Sequence, residues 1–239
     1  MHGLVYSGSG SGGGGEAVTT SYSPSGGGDA TLGTPDADGY RTISGTGLDG
    51  LSLYDPESAI SSINDDGSRF RFTNTTLAGG NYPFEAWQYV GNDKCAILVL
   101  GQPGAFSSAV EATVSAVGST STSYRCGAGI FQQYPASAAR NNSAGVTIYG
   151  QASQVWAKGW DDGAIISVQA TGPSLPATVR TEFNYHGDSI RTADLALKLG
   201  TTTLTTYEGT PFSGSSWLGF AIGTLVASTV DVTSFSVTA

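Results

Sequence analysis

From Thr181 to Ala239, polar and hydrophobic positions alternate with a period of two. Thr181-Glu182-Phe183-Asn184-Tyr185-His186 reads polar, then bulky, and Gly187-Asp188 supplies a turn. Ser189 to Leu199 resumes the alternation through Ile190, Leu195 and Leu197 and stops at Gly200. Trp217-Leu218-Gly219-Phe220-Ala221-Ile222-Gly223 is a glycine-spaced apolar strand. In the last segment Val230, Val232, Ser234 and Ser236 share one expected face, and Asp231, Thr233, Phe235 and Val237 share the other. This pattern predicts four consecutive antiparallel strands.

The same pattern continues upstream. Tyr40 to Ile43, Leu51 to Tyr54 and Arg69 to Thr73 are short strand candidates set apart by Asp55-Pro56 and Asn64-Asp65-Asp66-Gly67. Ala96 to Leu100, Ala109 to Val114, Cys126 to Phe131, Val146 to Tyr149, Gln154 to Ala157 and Ile165 to Val168 follow. Short strands separated by Gly, Asn and Asp turns predict an all-β sandwich or barrel. Ser58 to Ile63 and Ala136 to Asn142 read as single helical turns. No internal repeat of fixed period is present, which disfavours a solenoid or propeller.

Residues 1–34 differ in character. Leu4-Val5-Tyr6 precedes Ser7-Gly8-Ser9-Gly10-Ser11 and four further glycines, and Ser23-Pro24-Ser25-Gly26-Gly27-Gly28 follows the β-prone Ala17-Val18-Thr19-Thr20. Such Gly/Ser runs have no intrinsic fold. The expected organisation is an extended Gly/Ser-rich anchoring arm over 1–34, with Leu4, Val5 and Tyr6 as its docking residues, and a β-sandwich over 35–239.

Composition narrows the functions. Of 239 residues, 39% are hydrophobic, enough for a core, while only 12% are charged. A net charge of −9 and just three lysines, Lys94, Lys158 and Lys198, exclude nucleic acid and anionic membranes as expected partners. Met1-His2-Gly3-Leu4 has neither the basic nor the apolar region of a secretory signal. Cys95 and Cys126, the only cysteines, read as two buried thiols, with an inter-strand disulfide as the alternative.

The order of segments resembles the concanavalin A-like lectin and glucanase jelly roll from about Leu51 to Ala239. The resemblance is carried by Val110–Val114, Gly127-Ala128-Gly129-Ile130-Phe131, the Trp-bearing pair Val146–Trp156, the hairpin Thr181–Leu199 through Gly187, Asp188 and Ile190, Gly219–Gly223 and Val230–Val237. It implies a jelly-roll sandwich and leaves activity open.

Chemistry is sparse. Glucanases of this fold carry Glu-x-Asp-x-x-Glu on one strand, which gives the paired carboxylates, roughly 5–5.5 Å apart, of retaining hydrolysis. The matching strand here holds Glu111 alone, with Thr113 and Ser115 beside it; Glu85 and Glu182 also stand singly. His2 lies in the arm, and His186 reads as a turn histidine beside Asp188 rather than a triad member. The acidic turns at Asp36-Ala37-Asp38, Asn64-Asp65-Asp66 and Asp161-Asp162 fall short of a calcium loop, which needs about six or more oxygens, and read as Asx turns. Trp156 and Trp217 read as packing residues. Trp160, with Asp161 and Asp162, is the candidate glycan contact.

No enzyme activity, cofactor or metal is expected. The leading expectation is a non-enzymatic structural protein of a bacteriophage particle: a capsid decoration or fibre protein held by its arm to other virion proteins. Such a protein would self-associate and reside in a virion assembled in the host cytoplasm. The alternative is a carbohydrate-binding lectin-like module, free or on a fibre tip, with a host surface glycan as partner.

Overall fold

The computed structural model describes residues 17–77, 95–104, 107–119, 121, 124–132, 143–150, 154–161, 164–186, 192–211 and 216–239. Within them the chain forms eighteen strands: β1 (Thr19–Tyr22), β2 (Gly28–Asp29), β3 (Thr31–Leu32), β4 (Tyr40–Ser44), β5 (Ser52–Tyr54), β6 (Ile60–Asp65), β7 (Phe70–Asn74), β8 (Ala96–Gly101) and β9 (Ser107–Val117) come first. Then follow β10 (Arg125–Gln132), β11 (Ser143–Tyr149), β12 (Gln154–Asp161), β13 (Ala164–Thr171), β14 (Ala177–Tyr185), β15 (Thr192–Leu199), β16 (Thr202–Pro211), β17 (Ser216–Ile222) and β18 (Ser228–Thr238).

They build two antiparallel sheets packed as a sandwich. The first runs β16-β15-β14-β9-β18-β7-β6-β2, with β1 paired to β18; the second runs β13-β12-β11-β10-β17-β8-β5-β4-β3. Alternation explains the faces. In β9 Val110, Ala112 and Val114 are buried, whereas Glu111, Thr113 and Ser115 are half-buried on the outer side. The two inner faces meet in a phenylalanine cluster. The Phe235 ring lies 5.3 Å from Phe220 of the opposite sheet, 5.9 Å from Phe70 and 6.1 Å from Phe72. Burying such rings against one another is a main source of stability in a sandwich.

Three expectations are corrected. First, Thr181–Ala239 lies within a stretch that gives five strands, not four: the Thr-rich run Thr202–Pro211 is β16, which pairs with β15. Its side chains scarcely alternate in hydrophobicity, so the period-two signal is faint. Second, Ser58–Ile63 is no helical turn. Asp55 accepts the N–H groups of Ala59 and Ile60, Ser58 takes φ 54°, and the chain enters β6. Third, the faces of β18 change phase. Its register against β9 shifts between Val232 and Ser234, so Thr233 is a bulge and Val230, Val232, Phe235 and Val237 are all buried. His186 meets Asp194 of β15, Nε2 to Oδ1 at 2.8 Å; Asp188, expected beside it in the turn, lies outside the described residues, as do Glu85 and residues 136–142.

Of the expected arm, residues 1–16, with Leu4, Val5 and Tyr6, lie outside the described residues. From Ala17 on the segment is built into the sandwich. β1 pairs with β18 from Thr19↔Thr238 to Tyr22↔Phe235, β2 pairs with β6, and β3 pairs with β4. Asp65 fastens the stretch between them. Its buried carboxylate accepts the backbone N–H groups of Ser25, Gly26, Gly47 and Gly67 and the Ser25 hydroxyl, at 2.9–3.1 Å. Burial alone would raise its pKa, but these donors outweigh burial and hold the carboxyl well below the usual range. A second buried anchor is Asp55, whose Oδ2 meets Arg41 Nη1 at 2.7 Å, while Arg41 Nε donates to the Gly33 carbonyl. Cys95 and Cys126 are not bridged to each other; burial pushes the Cys126 thiol up to about 12.

Candidate functional site: a glycine-floored groove

Register, more than any single residue, lines up the small residues of the second sheet. Cross-strand partners in an antiparallel sheet share a face. Following partners across the second sheet gives Gln169, Trp156, Thr147, Gly127, Ala221, Ile97, Tyr54 and Tyr40 as one continuous outer row from β13 to β4. The adjacent row reads Ser167, Lys158, Gly145, Gly129, Gly219, Val99 and Ser52. Three central strands thus contribute three glycines side by side. Beyond them, Trp160 pairs with Ser143, and Phe131 pairs with Trp217. The outer face of the sheet therefore carries a strip without side chains across its strands, a groove only in that sense, floored by Gly145, Gly129 and Gly219, all three of them buried, with aromatic residues in the rows on both sides.

Backbone packing helps to explain the glycines. A Cβ on Gly219 would sit 2.6 Å from the Leu98 carbonyl oxygen, and one on Gly127, in the flanking row, would sit 2.1 Å from that of Val146. Larger residues there would push neighbouring strands apart.

The groove walls are fixed by specific contacts. The Tyr149 and Trp156 rings lie 5.9 Å apart at 32°, and the Arg125 guanidinium sits 4.0 Å over the Tyr149 ring. Trp156 Nε1 donates to Gln154 Oε1 at 3.1 Å, which locks the half-buried indole in orientation. On the other side Tyr40 meets Tyr54 edge-on at 5.2 Å and Trp217 at 6.2 Å. Tyr54, Ile97, Phe131 and Ala221 form a small apolar cluster there, apart from the main core. Trp217 Nε1 is buried and has no hydrogen-bond partner among the described residues. A buried donor left so costs about 1–3 kcal/mol, unless an incoming oxygen takes it.

The residues singled out from sequence distribute unevenly. Trp160 and Asp161 close β12, opposite Ile165 and Ala164 of β13, and Trp160 occupies a register position on the groove face. Asp162 lies outside the described residues. Trp156 and Trp217, read from sequence as packing residues, pack on Tyr149 and Tyr40 respectively, at register positions on the outer face of the second sheet. The available signal for the groove was the spacing Gly127-x-Gly129, which sets two glycines on one strand face.

The acidic residues of the first sheet form a ladder. Glu111 and Glu182, on neighbouring strands, flank Arg180, with Nη1 to Glu111 Oε2 at 3.1 Å and Nε to Glu182 Oε1 at 2.7 Å; Lys198 pairs with the other oxygen of Glu182. Burial pushes the Glu182 carboxyl up, but the bonds from Lys198 and Arg180 outweigh it and hold it below its usual value. A general acid needs the opposite shift. The acidic turns use their oxygens internally: Asp36 Oδ1 accepts from the N–H groups of Asp38 and Tyr40, and Asp66 Oδ1 from those of Ser68 and Arg69. Among the described residues no group of three or more His, Cys, Asp or Glu side chains converges as a metal site would require.

No family model matches the chain, and no curated protein matches it. Similar solved structures include the Emp47p carbohydrate recognition domain, at 12% identity, covering 90% of this chain and 96% of that one, with a TM-score of 0.47. The metal-free Emp46p carbohydrate recognition domain is 12% identical, covers 78% and 87%, and scores 0.48. A prokaryotic β-1,3-1,4-glucanase from a mouse hindgut metagenome is 9% identical, covers 73% and 81%, and scores 0.42.

Proposed function

We propose that the protein is a carbohydrate-binding module whose ligand lies in the groove across the second sheet. The observation that carries this reading is the glycine floor between tryptophan-bearing rows, with a buried Trp217 N–H that has no partner among the described residues. Sugar rings present flat C–H faces and hydroxyl rims. Trp156, held by Gln154 and Tyr149, supplies a stacking face, and Trp217 Nε1 supplies a donor for a hydroxyl oxygen. Trp160, Asp161 and Asp162 would extend the contact at the β12 end. The role we propose is binding; on the first sheet, Glu111 and Glu182 are engaged by Arg180 and Lys198. A glycan array probed with the full chain tests this. Reproducible hits that vanish in Trp156→Ala support it, and an array blank for the wild type overturns it.

A second reading is favoured by the junction of β1 with β18. Backbone bonds run both ways between Val18 and Ala239, so Ala17 sits at a fixed point of the sandwich. That suits a tether through Leu4, Val5 and Tyr6, and the reading is a phage structural protein displaying the sandwich on its particle. Co-sedimentation with particles lacking the protein tests it: binding must be saturable and must disappear when residues 1–16 are removed.

A further inference from the structure

Sheet ends expose unpaired backbone groups, and proteins normally protect them with short strands, charges, prolines or bulges. Four of the five open edges among the described strands are protected. β1, paired only with β18, has four residues, and β2 and β3 have two each. β16 is long, but its register against β15 shifts twice, and it carries Glu208 and Pro211. The fifth edge, β13, has none of these devices. It is Ala164-Ile165-Ile166-Ser167-Val168-Gln169-Ala170-Thr171, without charge or proline. It pairs with β12 through eight successive positions with no shift, and no strand among the described residues pairs with its outer edge.

We infer that β13 is a self-association edge, where a second copy of the chain adds antiparallel, β13 against β13, and joins the two second sheets into one. An antiparallel edge is complementary to itself about a two-fold axis, so no other partner is needed to satisfy it. Charge points to the same place. Each copy carries −9, so two copies repel except across a neutral strip. β13 is such a strip, and β16, whose single charge is Glu208, lies against it on the same flank. The exposed Gln169 and Thr171 would lie at the junction.

Sedimentation equilibrium of the full chain tests this, using wild type, Gln169→Lys/Thr171→Lys, and Thr203→Lys/Thr206→Lys on β16. Wild type is expected to dimerise reversibly. The β13 pair should weaken the dimer at least about tenfold, since like charges then face each other across the two-fold axis. The β16 pair should leave it nearly unchanged. Each variant also brings the chain closer to neutrality, so a loss confined to β13 has no global electrostatic cause. A wild type monomeric up to roughly 0.1 mM overturns the inference, as does a dimer indifferent to the β13 lysines. Hydrogen exchange provides a readout free of substitution: β13 amides of the wild type must gain protection as concentration rises.

Discussion

Asp65 accepts the backbone N–H of Gly26 at 2.9 Å, across 39 residues of sequence. This carboxylate also holds Ser25, Gly47 and Gly67, so it ties the entering chain to two turns at once. Asp65→Ala is expected to cost about 2–4 kcal/mol, because several buried N–H groups lose a charged acceptor together. Hydrogen exchange should show the loss concentrated at residues 23–30 and at Gly47, with β14 and β15 little changed.

The pH dependence follows from the direction of the shifts. The Asp65 carboxyl is held well below its unfolded value, that of Asp66 falls from 3.8 to about 2 through bonds from Ser68 and Arg69, and that of Glu182 is lowered as well. Groups with depressed folded pKa values contribute fully above their unfolded pKa and lose that contribution as acid approaches the folded one. Urea midpoints should therefore be flat from about pH 7 to pH 5 and fall steadily between about pH 4 and pH 2. Asp65→Asn should flatten most of that fall.

Buried charge sets a third expectation. Arg41 and Asp55 are both buried and meet at 2.7 Å. Removing Asp55 strands the guanidinium, so Asp55→Ala should cost about 3–5 kcal/mol in chemical denaturation. Replacing the pair by leucine and methionine together should cost much less than the single change.

Trp217 separates binding from stability. Its buried Nε1 has no partner among the described residues, so Trp217→Phe removes an unsatisfied donor at little loss of packing. Thermal stability should stay within about 1 kcal/mol of wild type or rise. Glycan affinity measured by calorimetry should nevertheless fall by about fivefold or more, as the loss of one hydrogen bond to a ligand hydroxyl requires.

The core offers a fifth comparison within one strand. Phe235→Ala should cost about 3–5 kcal/mol, since its ring touches phenylalanines from both sheets. Thr233→Ala, at the bulge, should change stability by no more than about 0.5 kcal/mol. Similar costs at the two positions would place Thr233 back on the inner face.

Strand positions were legible wherever side chains alternate clearly, as in Thr181–Tyr185 and Ala109–Val114. β16 was not, because threonine suits either face of a strand. The phase change at Thr233 was hidden for another reason: a bulge depends on which carbonyls pair across strands, and Val-Thr-Ser carries no mark of it. The same limit concealed the groove. Gly129, Gly145 and Gly219 are far apart in sequence, and only register lines them up. The Asp65 anchor was read as a turn residue, since nothing local announces that its donors come from Ser25 and Gly47.

The backbone bonds between Val18 and Ala239 have a practical consequence. The described chain is close to a closed loop, so the order in which its strands are joined is not tied to one starting point. A short linker from Ala239 to Ala17, with a new opening in the turn at Gly200-Thr201, would rearrange the sequence while every strand kept its neighbours. A reporter fused at either side of the Val18–Ala239 junction would leave the sandwich from one and the same corner.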